Sequence, residues 1–227
     1  MRPELRRFGN SASAVVVIDA FSGELDRLLS LAESLAPYPP HGNYYPGVRR
    51  VISNADAAAE AYVTEACERA AQFIGGAFDI DSFDLIEASF SMITTAPGSL
   101  TPPQRAPHFD TTDQKHLALL HYLHVPPGSG TAFYRQRSTG IERVTDANLD
   151  LFVRTAKADA AKLADDSGYI NESDDYFEQI GAVDAVPDRL VIYQGSLLHS
   201  GLIPAGMNFS ANPRQGRLTA NLFVRGH

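Results

Sequence analysis

The chain has 227 residues, of which 44 % are hydrophobic and 20 % charged, and a formal net charge of −8. A folded surface of about 10,000 Å² against about 36,000 Å² unfolded leaves room for one substantial core, and the composition excludes disorder. The acidic balance argues against nucleic acid or an anionic membrane surface as the main partner, and the lone Cys67 excludes an intrachain disulfide or a thiolate metal cluster.

A cytoplasmic setting fits that cysteine usage. The basic opening MRPELRRF and the apolar run Ala14–Ile18 are too short for a signal peptide or a membrane span. Ala14–Ile18 reads instead as a strand buried on both faces. Asp19 to Ala36 reads as a helix, with Leu25, Leu28, Leu29, Ala32 and Leu35 at helical spacing and Ser22 as N-cap. Pro37 to Arg50 is too rich in Pro and Gly for regular structure. Asp56 to Phe73 reads as an Ala-rich helix stopped by Gly75-Gly76.

From Asp84 the period changes. Strands are expected at Leu85–Ile93, His116–Val125, Gly130–Arg137, Leu190–Gln194, Ser196–His199 and Leu218–Val224. Between them Thr145 to Ala164 and Asp174–Ile180 read as helices, and Asp165, Asp166, Asp174 and Asp175 as a solvated face. The order suits one α+β domain. Residues 1–83 supply a strand and supporting helices, and 84–227 a strand-rich core with a helical insertion at 145–187. That insertion has three uses open to it: a lid, a substrate wall or a homodimer contact.

Three segments carry chemistry. In an extended His108-Phe109-Asp110, the imidazole and carboxylate share a face. Alone, H-x-D is a weak signal and more often a surface pair. His199, between small residues at a strand end, would complete two His and one carboxylate, a set that caps one face of a metal and leaves positions open. In Gly216–Asn221, alternation puts Arg217, Thr219 and Asn221 on one face. An Arg with a hydroxyl two residues on can hold a carboxylate. Alternation in His116–His124 puts Ala118, Tyr122 and His124 on one face, with Leu117, Leu119, His121 and Leu123 on the other. Tyr45, Arg49 and Arg105 are candidate substrate contacts, since Asn43–Arg50 and Gln104-Arg105 are turn-like segments rich in donors.

Taken together, His108-Phe109-Asp110, Tyr122-Leu123-His124, Gly130-Thr131-Ala132-Phe133, His199 and Arg217-Leu218-Thr219 resemble the motif series of the Fe(II)/2-oxoglutarate dioxygenase superfamily. The series is most similar to its prolyl-4-hydroxylase-like branch. The resemblance spans roughly residues 84–225, and the opening AVVVIDAFSG is similar to the first strand usual there. It implies a double-stranded β-helix (a cupin-like jelly roll) flanked by N-terminal helices. It implies His108, Asp110 and His199 as Fe(II) ligands, and Arg217, Thr219 and Tyr122 as the holders of 2-oxoglutarate. The reaction implied consumes O₂, yields succinate and CO₂, and oxidises a small molecule or an amino-acid or peptide side chain, most simply by hydroxylation. His124 stands where Asn is usual, Gly130-Thr131 is a residue tighter than usual, and the long interval from His199 leaves Arg214 as a rival to Arg217. Two other readings stay open: a cupin-type metalloprotein that does not use 2-oxoglutarate, and a non-catalytic jelly-roll binding module.

Overall fold

The computed structural model describes every residue except 41, 43, 161 and 163–167. Among the described residues the strands are β1 (Arg2–Phe8), β2 (Ser13–Asp19), β3 (Gly47–Val51), β4 (Phe83–Ile93), β5 (His116–His124), β6 (Gly130–Gln136), β7 (Phe177–Asp184), β8 (Arg189–Gln194), β9 (His199–Leu202) and β10 (Arg217–Gly226). The α-helices are α1 (Leu25–Ser34), α2 (Ala57–Phe78) and α3 (Leu149–Ala160). A seven-stranded sheet runs β1-β2-β8-β5-β10-β4-β3 and a three-stranded sheet β7-β6-β9. Every pairing is antiparallel.

Alternation along the large sheet separates two cores. Val16, Ile18, Phe90, Met92, Leu117, Leu119, Leu218, Ala220 and Leu222 pack against Leu28 and Ala32 of α1 and Tyr62, Val63, Ala66 and Ile74 of α2. The opposite faces of the same strands present Val15, Val17, Ala118, Tyr122, Val191 and Tyr193 to Phe133 and Val183 of the small sheet. The face assignment for β5 is therefore as expected. Each fully buried aliphatic or aromatic side chain contributes about 1.5–3 kcal/mol, so a register slip by one residue would exchange the two faces and cost many such contributions.

Several expectations are corrected. The helix start is not capped by Ser22. Helix α1 begins at Leu25, while the Ser22 hydroxyl and the backbone N–H groups of Ser22 and Gly23 donate to the Asp188 carboxylate. Helix α2 runs through Gly75 and Gly76 and ends at Asp79, which takes the left-handed conformation at φ 56°. Its buried stripe from Ala59 to Ile74 outweighs about 1 kcal/mol per glycine. The Pro/Gly-rich segment contains edge strand β3, paired along its length to β4 and bridged on its other side at Pro40 and Val48. The basic opening is β1, another edge strand. Asp174–Ile180 is not a helix: Asp174 accepts from the N–H groups of Tyr176 and Phe177 in a turn, and β7 starts there against β6. His199 opens β9 rather than ending a strand. The helix expected over Thr145 to Ala164 starts at Leu149 and is described to Ala160; residues 161, 163 and 164 of its expected end, and the expected solvated Asp165 and Asp166, lie outside the described residues.

Candidate metal centre

The H-x-D segment is not a full strand. His108 forms one isolated antiparallel bridge to His199: the His108 N–H donates to the His199 carbonyl at 2.9 Å, and the His199 N–H returns the bond at 2.8 Å. Two residues on, the Asp110 N–H donates to the Gly195 carbonyl at 2.7 Å. These bonds fasten the loop before β5 to the loop and strand after β8. They bring the ligand atoms of His108, Asp110 and His199 within 4.8 Å of one another. Gly195 is required for this approach, since a Cβ there would lie 2.7 Å from His116 and 3.2 Å from Asp110.

The donors are chemically prepared. His199 Nδ1 sits 2.7 Å from the Leu197 carbonyl oxygen, which only an N–H can satisfy. That fixes the tautomer and leaves Nε2, 3.7 Å from the Asp110 carboxylate, with its lone pair. Desolvation lowers both imidazoles to about 4, His199 being buried and His108 open to the cavity, helped at His108 by the neighbouring His199 and opposed there by Asp110. Burial raises the Asp110 carboxyl, against the pull of His108, His116 and Arg49. Two neutral imidazoles and a carboxylate short of compensating charge suit a divalent cation.

The three residues open on a cavity of about 800 Å³ that also reaches Tyr45, Arg49, Thr131, Tyr193, Arg217 and Thr219. Arg217 opens β10 and is 5 % exposed. Its Nη2 donates to the Gly130 carbonyl at 3.3 Å, its guanidinium lies 5.7 Å from the Tyr122 ring, and its buried Nε has no hydrogen-bond partner among the described residues. Thr219 is 1 % exposed and pairs with Tyr122 across β10 and β5. The Tyr122 hydroxyl is 2.7 Å from Thr131 Oγ1. A buried arginine with a donor still to satisfy, beside the Tyr122 ring, can hold a carboxylate.

Arg214 stands elsewhere, on the surface, bonded to Glu33 and Ser30 of α1. Tyr45 and Arg49 line the cavity, but Arg105 does not: it donates to the Leu100 carbonyl. Three of the other described histidines are held by hydrogen bonds, while the buried His116 Nε2 has no hydrogen-bond partner among the described residues. His121 bridges Tyr62 and Asp188, burial lowering its imidazole pKa against the Asp188 bond. His124 meets the Gly216 carbonyl at 2.7 Å, and His227 meets Asp84. His116 lies against Phe223 at 5.5 Å. His41 lies outside the described residues. Cys67 is half-buried, and burial pushes its thiol to about 11. Sequence reasoning missed Thr131 as the partner of Tyr122, and Phe152, Tyr169 and Tyr193 as cavity walls. The G-x-T-like segment carried the signal for Thr131. Nothing local marked the other three.

The fold is one shared with solved 2-oxoglutarate-dependent enzymes, the class whose motif series the sequence resembles, and His108, Asp110 and His199 form a cluster that could hold a metal ion. The chain belongs to the family described as "Family of unknown function (DUF6445)", whose model matches residues 1–224. No curated protein matches the sequence. Solved structures share the fold at low identity. The non-heme alpha-ketoglutarate-dependent epimerase SnoN from nogalamycin biosynthesis is 13 % identical at a TM-score of 0.58, covering 94 % of this chain and 79 % of its own. Apo HygX from Streptomyces hygroscopicus is 12 % identical at 0.58, covering 95 % and 84 %. The viral collagen prolyl hydroxylase of Paramecium Bursaria Chlorella virus-1, in its 2-oxoglutarate complex, is 12 % identical at 0.50, covering 94 % and 96 %. Among the described residues no helix is long and apolar enough to cross a membrane.

Proposed function

We propose that this chain is an Fe(II)- and 2-oxoglutarate-dependent oxygenase whose two facing antiparallel sheets are a double-stranded β-helix. The observation that carries the reading is the opening of the His108, Asp110 and His199 cluster on the same cavity as the buried Arg217. His108, Asp110 and His199 would hold the metal, which supplies O₂ activation and oxidative decarboxylation when bound. HygX has been solved with nickel and 2-oxoglutarate bound, so the shared fold accommodates both.

The chain's own residues do the rest. Arg217, with Thr219 and Tyr122, orients the distal carboxylate of 2-oxoglutarate, and Thr131 holds the Tyr122 hydroxyl in place. Leu197 fixes the His199 tautomer. Tyr193 and Phe133, whose rings meet edge-on at 5.2 Å, keep water from the cavity floor. Substrate enters on the side of Tyr45 and Arg49, and α3 forms a wall through Phe152, Val153 and Ala156, the role we assign to the insertion. Hydroxylation of a small molecule is the simplest outcome. A cupin-type site without 2-oxoglutarate has no use for an arginine buried beside Thr219 and Tyr122, and a passive binding module has no use for a fixed His199 tautomer.

The test is aerobic turnover. With Fe(II), the chain should release succinate from 2-oxoglutarate, and His199→Ala should not. Succinate release at equal rates with and without Fe(II), or none under any metal and substrate screen, would sink the proposal.

A further inference from the structure

Gly195 joins Asp110 to a histidine outside the ligand cluster. Its N–H donates to the His116 carbonyl at 2.9 Å, and its carbonyl accepts from the Asp110 N–H at 2.7 Å. One residue without a side chain thus pins the start of β5 and the H-x-D loop together through main chain. Its missing Cβ sets how near the two side chains come. That position lies 2.7 Å from His116 Cδ2 and 3.2 Å from Asp110 Oδ2. The edge of the imidazole and the carboxylate therefore meet over the space that one methyl group would fill.

The two oxygens of Asp110 face different neighbours. Oδ1 is turned to the ligand cluster, 3.7 Å from His199 Nε2. Oδ2 is turned to Gly195 and the His116 ring. A carboxylate that gives one oxygen to a cation keeps acceptor capacity on the other, and ligating carboxylates are as a rule held by an outer hydrogen bond. Among the described residues no side-chain donor stands within hydrogen-bond distance of the Asp110 carboxylate. Arg49, whose charge reaches Asp110, is taken by Glu87 and Ser89.

His116 has the complementary deficit. Its Nε2, bonded to that same Cδ2, is buried and has no hydrogen-bond partner among the described residues. A buried polar atom left unpaired is costly. A neutral imidazole carries its proton on either nitrogen, so Nε2 can be the donor. The ring rests against Phe223 at 5.5 Å, and its influence already lowers the Asp110 carboxyl against burial. With both backbones pinned to Gly195, only side-chain torsions separate Nε2 from Oδ2. We infer that His116 is a positioning residue of the metal centre: its Nε2–H holds Asp110 Oδ2 and so presents Oδ1 to the cation. It acts through Asp110 and touches neither metal nor substrate. This rests on the reading of His108, Asp110 and His199 as metal ligands.

The test is calorimetric Zn(II) titration of the full chain and of variants that separate the nitrogen from the ring. His116→Phe keeps a ring against Phe223 and removes the donor, and Zn(II) affinity should fall about 10–100-fold. His116→Gln gives up the ring and keeps an N–H donor, and should bind Zn(II) within a few-fold of the native chain. His116→Leu repeats the removal of the nitrogen in a smaller side chain should phenylalanine disturb β5. In an Asp110→Ala background, His116→Phe should change the affinity no further, since the two residues act as one unit. Affinity that follows the ring and not the donor overturns the inference. So does native affinity in both His116→Phe and His116→Gln, loss in both, or a loss of the same size without Asp110. The metal reading fails separately. If the native chain and His199→Ala bind Zn(II) alike, the cluster is no metal site and the inference goes with it; if they differ while His116→Phe binds like the native chain, only this inference falls.

Discussion

His108 and His199 exchange both backbone hydrogen bonds, at 2.9 and 2.8 Å, and their rings lie 4.3 Å apart. The scaffold of the site is thus main chain, and the His108 ring and His199 Nε2 are left for chemistry. His199→Ala should keep the bridge and the fold while removing one ligand. Metal affinity should fall roughly 100-fold or more, beyond what loss of an outer-shell partner costs, with an unchanged circular dichroism spectrum. Calorimetric Fe(II) or Zn(II) titration decides it: affinity equal to the native chain would remove His199 from the ligand set.

Gly195 gives a sharper test of the same geometry. A Cβ there would press on His116 at 2.7 Å and on Asp110 at 3.2 Å, so Gly195→Ala should displace the carboxylate by a few tenths of an ångström. Metal affinity should drop roughly 10–100-fold without touching a ligand. An alanine variant that binds metal like the native chain would show that Asp110 has room to move.

The faces of β5 and β10 were legible because strict alternation survives where both sides of a strand are packed. Leu117, Leu119, Leu218 and Leu222 fall on the helix side, and Ala118, Tyr122 and Thr219 on the cavity side. The site was legible through motif residues on those strands and next to them. Edge strands were not. β3 has a partner strand on one side and only the isolated Pro40–Val48 bridge on the other, is half-buried throughout, and its Gly47 packs where a Cβ would lie 1.9 Å from the Met92 carbonyl oxygen. A glycine needed for close approach reads as a loop signal. β7 is half-buried along most of its length, which erases alternation. The Ser22 expectation failed because α1 starts only at Leu25: the Ser22 hydroxyl donates to Asp188, distant in sequence, and accepts from the Glu24 N–H ahead of the helix.

Glu142 holds the β1–β2 turn to the small sheet. It accepts from the N–H groups of Asn10 and Ser11, the Ser11 hydroxyl and the Arg135 guanidinium. Burial alone would raise its carboxyl, but these bonds bring it down to about 2. A depressed carboxylate stabilises the fold above its unfolded value near 4.5 and loses that contribution as pH falls through about 2. Glu142→Gln should therefore cost about 1–3 kcal/mol at neutral pH, the lower end allowing for solvent screening. The gap from the native chain should close as pH drops from 4.5 toward 2. Denaturant unfolding at several pH values checks this, and a gap independent of pH would contradict it.

The Tyr122 hydroxyl and Thr131 Oγ1 are 2.7 Å apart at the cavity floor. Thr131→Val keeps the volume and removes the hydroxyl, leaving the phenol without its partner. 2-Oxoglutarate affinity should fall roughly 5- to 30-fold, as expected for about 1–2 kcal/mol from an unsatisfied buried group, with metal affinity unchanged. Equal loss of both would assign Thr131 to general packing.

The central claim is most directly tested by titrating 2-oxoglutarate into the anaerobic Fe(II) protein and following the metal-to-ligand charge-transfer band. The account predicts a saturable band in the native chain and in Arg214→Ala, whose arginine is bonded on the surface to α1. In Arg217→Ala the apparent affinity should fall by about 30-fold to a few thousand-fold, the equivalent of about 2–5 kcal/mol for one partner of a buried charge pair. No band in the native chain, or a loss that follows Arg214 instead of Arg217, would contradict it.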